Sequence, residues 1–212
     1  DFLREARTAA ILNHPNIVTI HDTGQSGSKY FIVMEYVDGE SLKSHLETRL
    51  NLSLSDLLDL AKQACVGLDY AHRKGILHRD IKPGNLLVDR EGIVKITDFG
   101  LARSATETSH ETVVRGTPFY MSPEQIQGLQ SDYRSDIYSF GCTLYRMFAK
   151  RPPFDQGDVY QQHLHNPPVP PSTLNPKIPE ALNRLILKCL EKDRNQRYPD
   201  VASLLRDLQE IS

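Results

Sequence analysis

The run "ILHRDIKPGNLLV" at residues 76–88 sets His78, Arg79, Asp80, Lys82 and Asn85 between two apolar segments. Charged side chains bracketed in this way are costly to place unless they are paired or put to use. Asp80 and Asn85 lie five positions apart on a loop entering a strand, and Asp98 follows the next strand, thirteen residues after Asn85. If the strands "NLLV" and "IVKIT" pair as a hairpin across the turn at 89–92, both loops come to one end. Two carboxylates and an amide oxygen then converge. Hard oxygen donors of this kind suit Mg²⁺, which takes one or two carboxylates and completes its shell with water and phosphate. Lys82, two residues past Asp80, supplies a point positive charge that could neutralise a phosphate.

The elements that must position these residues belong to a chain of 212 residues, which suits one large domain or two small lobes around a real core. With 39% apolar and 25% charged residues, the chain reads as soluble and globular rather than disordered. Its net charge of −2 gives no nucleic-acid footprint and no basic membrane patch. Cys65, Cys142 and Cys189 include no Cys-x-x-Cys pair and read as free buried thiols in a reducing compartment. The eight histidines include no two-His helical zinc spacing. No apolar run approaches the roughly 20 residues of a membrane span, and no signal peptide is visible.

Along the chain, residues 1–12 read as a helix ended by Asn13-His14-Pro15. "IVTIHDTG" (17–24) and "KYFIVMEYV" (29–37) read as a hairpin, with "DGE" breaking the second strand and a short helix from Ser41. The clearest helix spans 54–72, with an apolar stripe from Leu54 to Ala71 and a capping start at Ser53 and Asp56. His72, near its end, reads as a packing or C-terminal histidine rather than a ligand. A polar loop covers 104–112, and helices are expected near 123–127, 134–149, 158–165, 180–192 and 200–210. "NPPVPPSTLNPKIP" (166–179) reads as a stiff connecting loop, the alternative being a ligand for a proline-reading domain.

His-Arg-Asp-x-Lys-Pro-x-Asn, followed by Asp-Phe-Gly at 98–100, resembles the catalytic segment of protein kinases, and more narrowly of bacterial eukaryotic-like Ser/Thr protein kinases. The resemblance covers essentially the whole chain. It implies an α+β, two-lobed kinase-like fold. Residues 1–37 would be a partial N-terminal lobe of one helix, two strands and the hinge. Residues 38–212 would be a complete, mostly helical catalytic lobe with its activation segment at 98–124. By the same resemblance Asp80 is the base that orients the substrate hydroxyl, and Lys82 steadies the γ-phosphate. Asn85 and Asp98 hold Mg²⁺ on the phosphates of ATP. His78 and Phe99 stack in an internal column. "MEYV" is the hinge, with Met34 as gatekeeper, Glu35 and Val37 offering backbone groups to adenine, and Leu87 beneath it. "GTPFYMSPE" (116–124) receives the substrate peptide, and Thr117 with Lys82 marks a Ser/Thr rather than a Tyr kinase. Glu124 should pair with Arg197, Asp136 should brace the catalytic loop, and Tyr138 stands where a Trp is often found.

The activity implied is transfer of the ATP γ-phosphate to protein Ser or Thr hydroxyls. The implied partners are ATP and a protein substrate, with no nucleic acid and no membrane contact by this segment. The implied location is cytoplasmic, in a parent chain that in many relatives carries a membrane span and sensor domain. Arg79 implies control by a phosphate on the activation loop, with Thr112 the favoured acceptor among Ser104, Thr106, Thr108, Ser109 and Thr112. The sequence opens at Asp1, without Met and inside an apparent helix, so a fragment is expected. The 212 residues contain neither a glycine-rich phosphate loop nor the strand lysine that Glu5, on the first helix, would pair with. The polypeptide alone is therefore expected to bind Mg-ATP poorly, and a lone two-stranded hairpin is marginal in water. Two other classes compete with this one: a non-catalytic docking module, opposed by the retained Asp80, Lys82, Asn85 and Asp98, and a small-molecule phosphotransferase, opposed by the peptide segment at 116–124.

Overall fold

The structure, a computed structural model, describes residues 8–49, 51–99 and 118–211. Thr8 and Ala9 are helical, and the rest of the helix expected at the start lies outside the described residues, as does the loop at 104–112.

The helical part is built around one buried rod. Helices α1 (Leu42–Thr48), α2 (Leu54–Arg73), α3 (Pro123–Ile126), α4 (Tyr133–Ala149), α5 (Val159–His165), α6 (Pro171–Leu174), α7 (Glu180–Cys189) and α8 (Val201–Gln209) follow in chain order. Ser53 and Asp56 close a capping box at the start of α2, at 3.1 and 2.9 Å. The apolar stripe of α2, including Leu58, Ala61, Ala64, Leu68 and Ala71, is buried. The α4 helix is buried nearly all round from Ser135 to Tyr145, as a helix enclosed by its neighbours must be. Gly141 lets α7 come close: a Cβ there would sit 2.5 Å from the Cys189 Cβ. Cys65, Cys142 and Cys189 are free and buried, and burial pushes all three thiols above their ordinary range. Among the described residues no helix is long and apolar enough to cross a membrane.

Two small sheets complete the fold. β1 (Ile20–Ser26) and β2 (Lys29–Met34) form an antiparallel hairpin. β3 (Gly39–Ser41), β4 (Leu86–Asp89) and β5 (Val94–Ile96) form an antiparallel sheet in that order. The hairpin expected at 85–97 is β4–β5, with Leu86 opposite Ile96.

Three expectations need correction. Residues 17 and 18 do not belong to the first hairpin; Ile17 bridges Ile96 in parallel, and the Val18 N–H donates to the Ile96 carbonyl at 2.9 Å. "DGE" is expected only to break the second strand, but Gly39–Ser41 form β3 because β4 offers them an edge, and the helix expected from Ser41 follows with Ser41 as its N-cap. The proline-rich run holds α6, for proline at the first helical position loses only an N–H that no helix uses there.

A buried polar contact ties α4 to α5. The Tyr138 hydroxyl meets His163 Nδ1 at 2.8 Å, and Phe154 stands edge-on to the imidazole at 5.0 Å between ring centres. Burial, helped by the nearby Lys192 cation, pushes the His163 imidazole from its ordinary 6.5 down to about 3. An unfolded His163 takes a proton below 6.5 and the folded one only near 3, so stability falls as pH drops through that window. Urea titrations should show the protein losing about 2 kcal/mol more between pH 7 and pH 5 than its His163→Gln variant does. Equal losses would mean His163 does not stay neutral in the fold.

Candidate active site

The loop at 78–85 is hung from the buried rod. Asp136, 1% exposed on α4, accepts the backbone N–H groups of His78 at 2.8 Å and Arg79 at 2.7 Å. His72, at the end of α2, donates to the same carboxylate at 2.8 Å. Burial alone would push the Asp136 carboxyl up, but the hydrogen bond from His72 and the two backbone donors hold it below its ordinary range.

The loop runs on through a backbone of unusual shape. Arg79 has φ +67° and Asp98 has φ +63°, both left-handed positions that non-glycine residues occupy at a cost of roughly 1–3 kcal/mol. Neighbours hold each of them. Gln125 Nε2 donates to the Arg79 carbonyl at 2.7 Å while Gln125 Oε1 caps Ser122 N at 2.9 Å. Thr97, just before Asp98, donates its N–H to the Asn85 carbonyl at 3.0 Å and accepts from His78 Nε2 at 2.8 Å. Burial lowers the His78 pKa; with Nε2–H donating to Thr97 O, its Nδ1 accepts the Asp80 N–H at 3.1 Å. The His78 and Phe99 rings pack at 4.7 Å between centres, as the resemblance implies.

Asp80, Lys82 and Asn85 come together. Lys82 Nζ reaches Asp80 Oδ2 at 2.6 Å. Asn85 Nδ2 donates to Asp80 Oδ2 at 3.0 Å and to the Asp80 carbonyl at 2.8 Å. With its amide nitrogen engaged by Asp80, the oxygen of Asn85 is the atom a cation would take. The β4–β5 pairing and the Thr97–Asn85 bond bring the Asp98 loop to the same end of the sheet. Asn85 and Asp98 together supply an amide and a carboxylate oxygen, a donor set that fits Mg²⁺.

The residues expected to form a hinge are placed less completely. Met34 is 40% exposed and lines a small cavity that also touches Ile32, Ile96, Asp98 and Phe99. The Glu35 N–H is given to the Thr19 carbonyl at 2.8 Å, which leaves its carbonyl as the backbone group to offer a ligand. The Glu35 carboxylate pairs with Lys95 on β5 at 2.8 Å. Val37 and Leu87 are half-buried, Leu87 standing opposite Lys95 in the sheet. Glu5, Thr112 and Thr117 lie outside the described residues. Sequence reasoning missed Gln125 as a loop holder, although Ser122 three residues before it was a capping signal.

Glu124 and Arg197 pair as expected, at 2.8 and 3.0 Å, with both side chains buried. Burial alone would raise the Glu124 carboxyl, but the Arg197 guanidinium and the Ser135 hydroxyl at 2.6 Å hold it low. The guanidinium also donates to the carbonyls of Glu191, Arg134 and Lys192.

A helical lobe under a small sheet, with a carboxylate, a lysine and an amide clustered on a loop and a second carboxylate just beyond the hairpin, has the layout of a kinase catalytic lobe. The chain belongs to the protein kinase domain family, whose model matches residues 1–207. A probable serine/threonine-protein kinase of Clostridium acetobutylicum is 41% identical over 215 residues, covering 99% of this chain and 33% of the relative. One from Clostridium perfringens is 40% identical over 216 residues, 99% of this chain and 31% of the relative. Serine/threonine-protein kinase PknB of Mycolicibacterium smegmatis is 40% identical over 219 residues, 98% of this chain and 35% of the relative. The chain thus spans about a third of the length of these curated relatives.

Arg197 uses every guanidinium N–H, and a lysine has only three donors. Arg197→Lys should therefore leave buried acceptors unpaired and cost about 3 kcal/mol in urea unfolding. A loss under about 0.5 kcal/mol would show that the buried pair contributes nothing specific.

Proposed function

We propose that the protein is a serine/threonine kinase that moves the γ-phosphate of ATP to a Ser or Thr hydroxyl of a protein substrate. The observation that carries this reading is the Asp80 carboxylate, contacted by Lys82 Nζ at 2.6 Å and Asn85 Nδ2 at 3.0 Å on a loop hung from Asp136. Family membership and the names of the relatives support the Ser/Thr class.

In this reading Asp80 orients the attacking hydroxyl and takes its proton. Lys82 is released from Asp80 toward the transferring phosphoryl group, where a positive charge is needed. Phosphoryl transfer asks for positioning and charge neutralisation more than covalent help. Asn85 and Asp98 would hold Mg²⁺, which when bound neutralises phosphate charge. Met34, Glu35, Val37 and Leu87 would frame the adenine. Residues 1–37 serve as part of the small lobe and 38–212 as the catalytic lobe, with 98–124 as activation segment. The site of action is the cytoplasm, and Thr112 is the loop phosphate acceptor that Arg79 would hold.

In the full-length protein, Asp80→Asn should lower phosphate transfer to a Ser/Thr peptide by at least about 100-fold while binding of an ATP analogue is kept. Transfer at wild-type rates would remove Asp80 from the role of base. These 212 residues contain no G-x-G-x-x-G run to cover the phosphates, so a polypeptide of these residues alone should turn over ATP slowly. Robust turnover in a radiolabelled ATP assay would refute that.

A further inference from the structure

The outer edge of β5 is closed at Ile96 by the backbone of residues 16–18 and at Val94 by side chains. Gln63, half-buried on α2, accepts the Val94 N–H on Oε1 at 2.9 Å and donates from Nε2 to the Gly92 carbonyl at 3.0 Å. Asn16, 8% exposed, donates from Nδ2 to the Val94 carbonyl at 2.9 Å and to Gln63 Oε1 at 3.3 Å. Just beyond, the Ile96 N–H donates to the Asn16 carbonyl and the Val18 N–H to the Ile96 carbonyl, each at 2.9 Å. Gly67, one turn along α2 from Gln63, leaves room for this turn: a Cβ there would lie 2.8 Å from the Asn16 carbonyl oxygen.

We propose that Gln63, acting through Asn16 and Val94, is a positioning residue for Asp98. This inference rests on the kinase reading, in which Asp98 is a metal ligand. The physical reason is register. Asp98 stands two residues past Ile96, so its place follows from how β5 is held. β4 fixes one edge of β5, and the other edge has only the 16–18 turn and the Gln63 carboxamide. Without Gln63 that edge keeps its backbone bonds at Ile96 but is held more weakly at Val94, and in so short a strand a slip by one residue turns side chains to the opposite face. Without the carboxamide, the Val94 N–H and the Gly92 carbonyl lose their partners and Asn16 loses one of its two acceptors. Gln63 thereby links the helix under the sheet, the turn from the small lobe and the strand carrying Asp98.

The test uses the full-length protein with Gln63→Met, which keeps length and removes the polar atoms. Gln63→Glu keeps the acceptor but puts an oxygen against the Gly92 carbonyl, and Gly67→Ala presses on Asn16 from the helix side. Two readouts are taken: amide hydrogen exchange at residues 94–97, and Mn²⁺ affinity with a non-hydrolysable ATP analogue, read by electron paramagnetic resonance. Gln63→Met is expected to speed exchange at 94–97 and weaken Mn²⁺ binding about tenfold, with Gln63→Glu between it and wild type. Gly67→Ala should move both readouts in the same direction, so the inference stays testable if Gln63→Met fails to fold. Faster exchange with Mn²⁺ affinity within twofold of wild type would make the cluster structural only and overturn the inference, as would unchanged exchange. Wild-type protein that binds no Mn²⁺ would instead overturn the kinase reading of Asp98.

Discussion

The site depends on one buried charge. Asp136 is almost wholly withdrawn from water, and an ion in that position is tolerable only when its oxygens are fully hydrogen-bonded. Its partners are the two backbone N–H groups at the head of the 78–85 loop and the His72 ring. The need to solvate Asp136 therefore shapes the loop. It holds Arg79 in a left-handed conformation that an unanchored arginine would leave. From that fixed point the chain delivers Asp80, Lys82 and Asn85 within hydrogen-bond reach of one another.

The same logic recurs along both sides of the loop. Gln125, at the start of α3, grips the Arg79 carbonyl, and Glu124 beside it is locked to Arg197. The segment expected to receive the peptide thus shares an anchor with the loop expected to hold the base. On the other side His78 bonds Thr97, so Asp80 and Asp98 are separated by a short chain of hydrogen bonds rather than by free loop. Polar groups buried in this way contribute little net stability when satisfied and cost much when broken. Their value lies in fixing relative positions, which is what moving a charged phosphoryl group requires.

The parts of the site that are local in sequence were legible from it. Asp80, Lys82 and Asn85 lie on one short loop, and the β4–β5 hairpin carries Asp98 to them. The anchors Asp136 and Glu124–Arg197 are distant in sequence; they were anticipated only because the motifs resemble a known family. Gln63 was not legible. A glutamine on the flank of an amphipathic helix looks like surface, and its partners Asn16, Gly92 and Val94 lie 47, 29 and 31 residues away. β3 escaped because Gly-Glu-Ser has no strand propensity and is a strand only through the edge that β4 offers. Residues 17 and 18 pair with Ile96 rather than with the hairpin, and strand alternation does not say which neighbour a strand will choose.

The most direct measurement of this account is the single-turnover rate of phosphate transfer by Asp136→Asn in the full-length protein, alongside its affinity for an ATP analogue. The amide places an NH₂ against one of the three donors that Asp136 now accepts, so the loop should shift while the residues proposed to frame the nucleotide stay in place. The account expects a fall of about 100-fold in rate with affinity changed less than about threefold, in protein that remains folded by circular dichroism. A rate within twofold of wild type would contradict it, because the loop would then hold Asp80 in place without the charge beneath it.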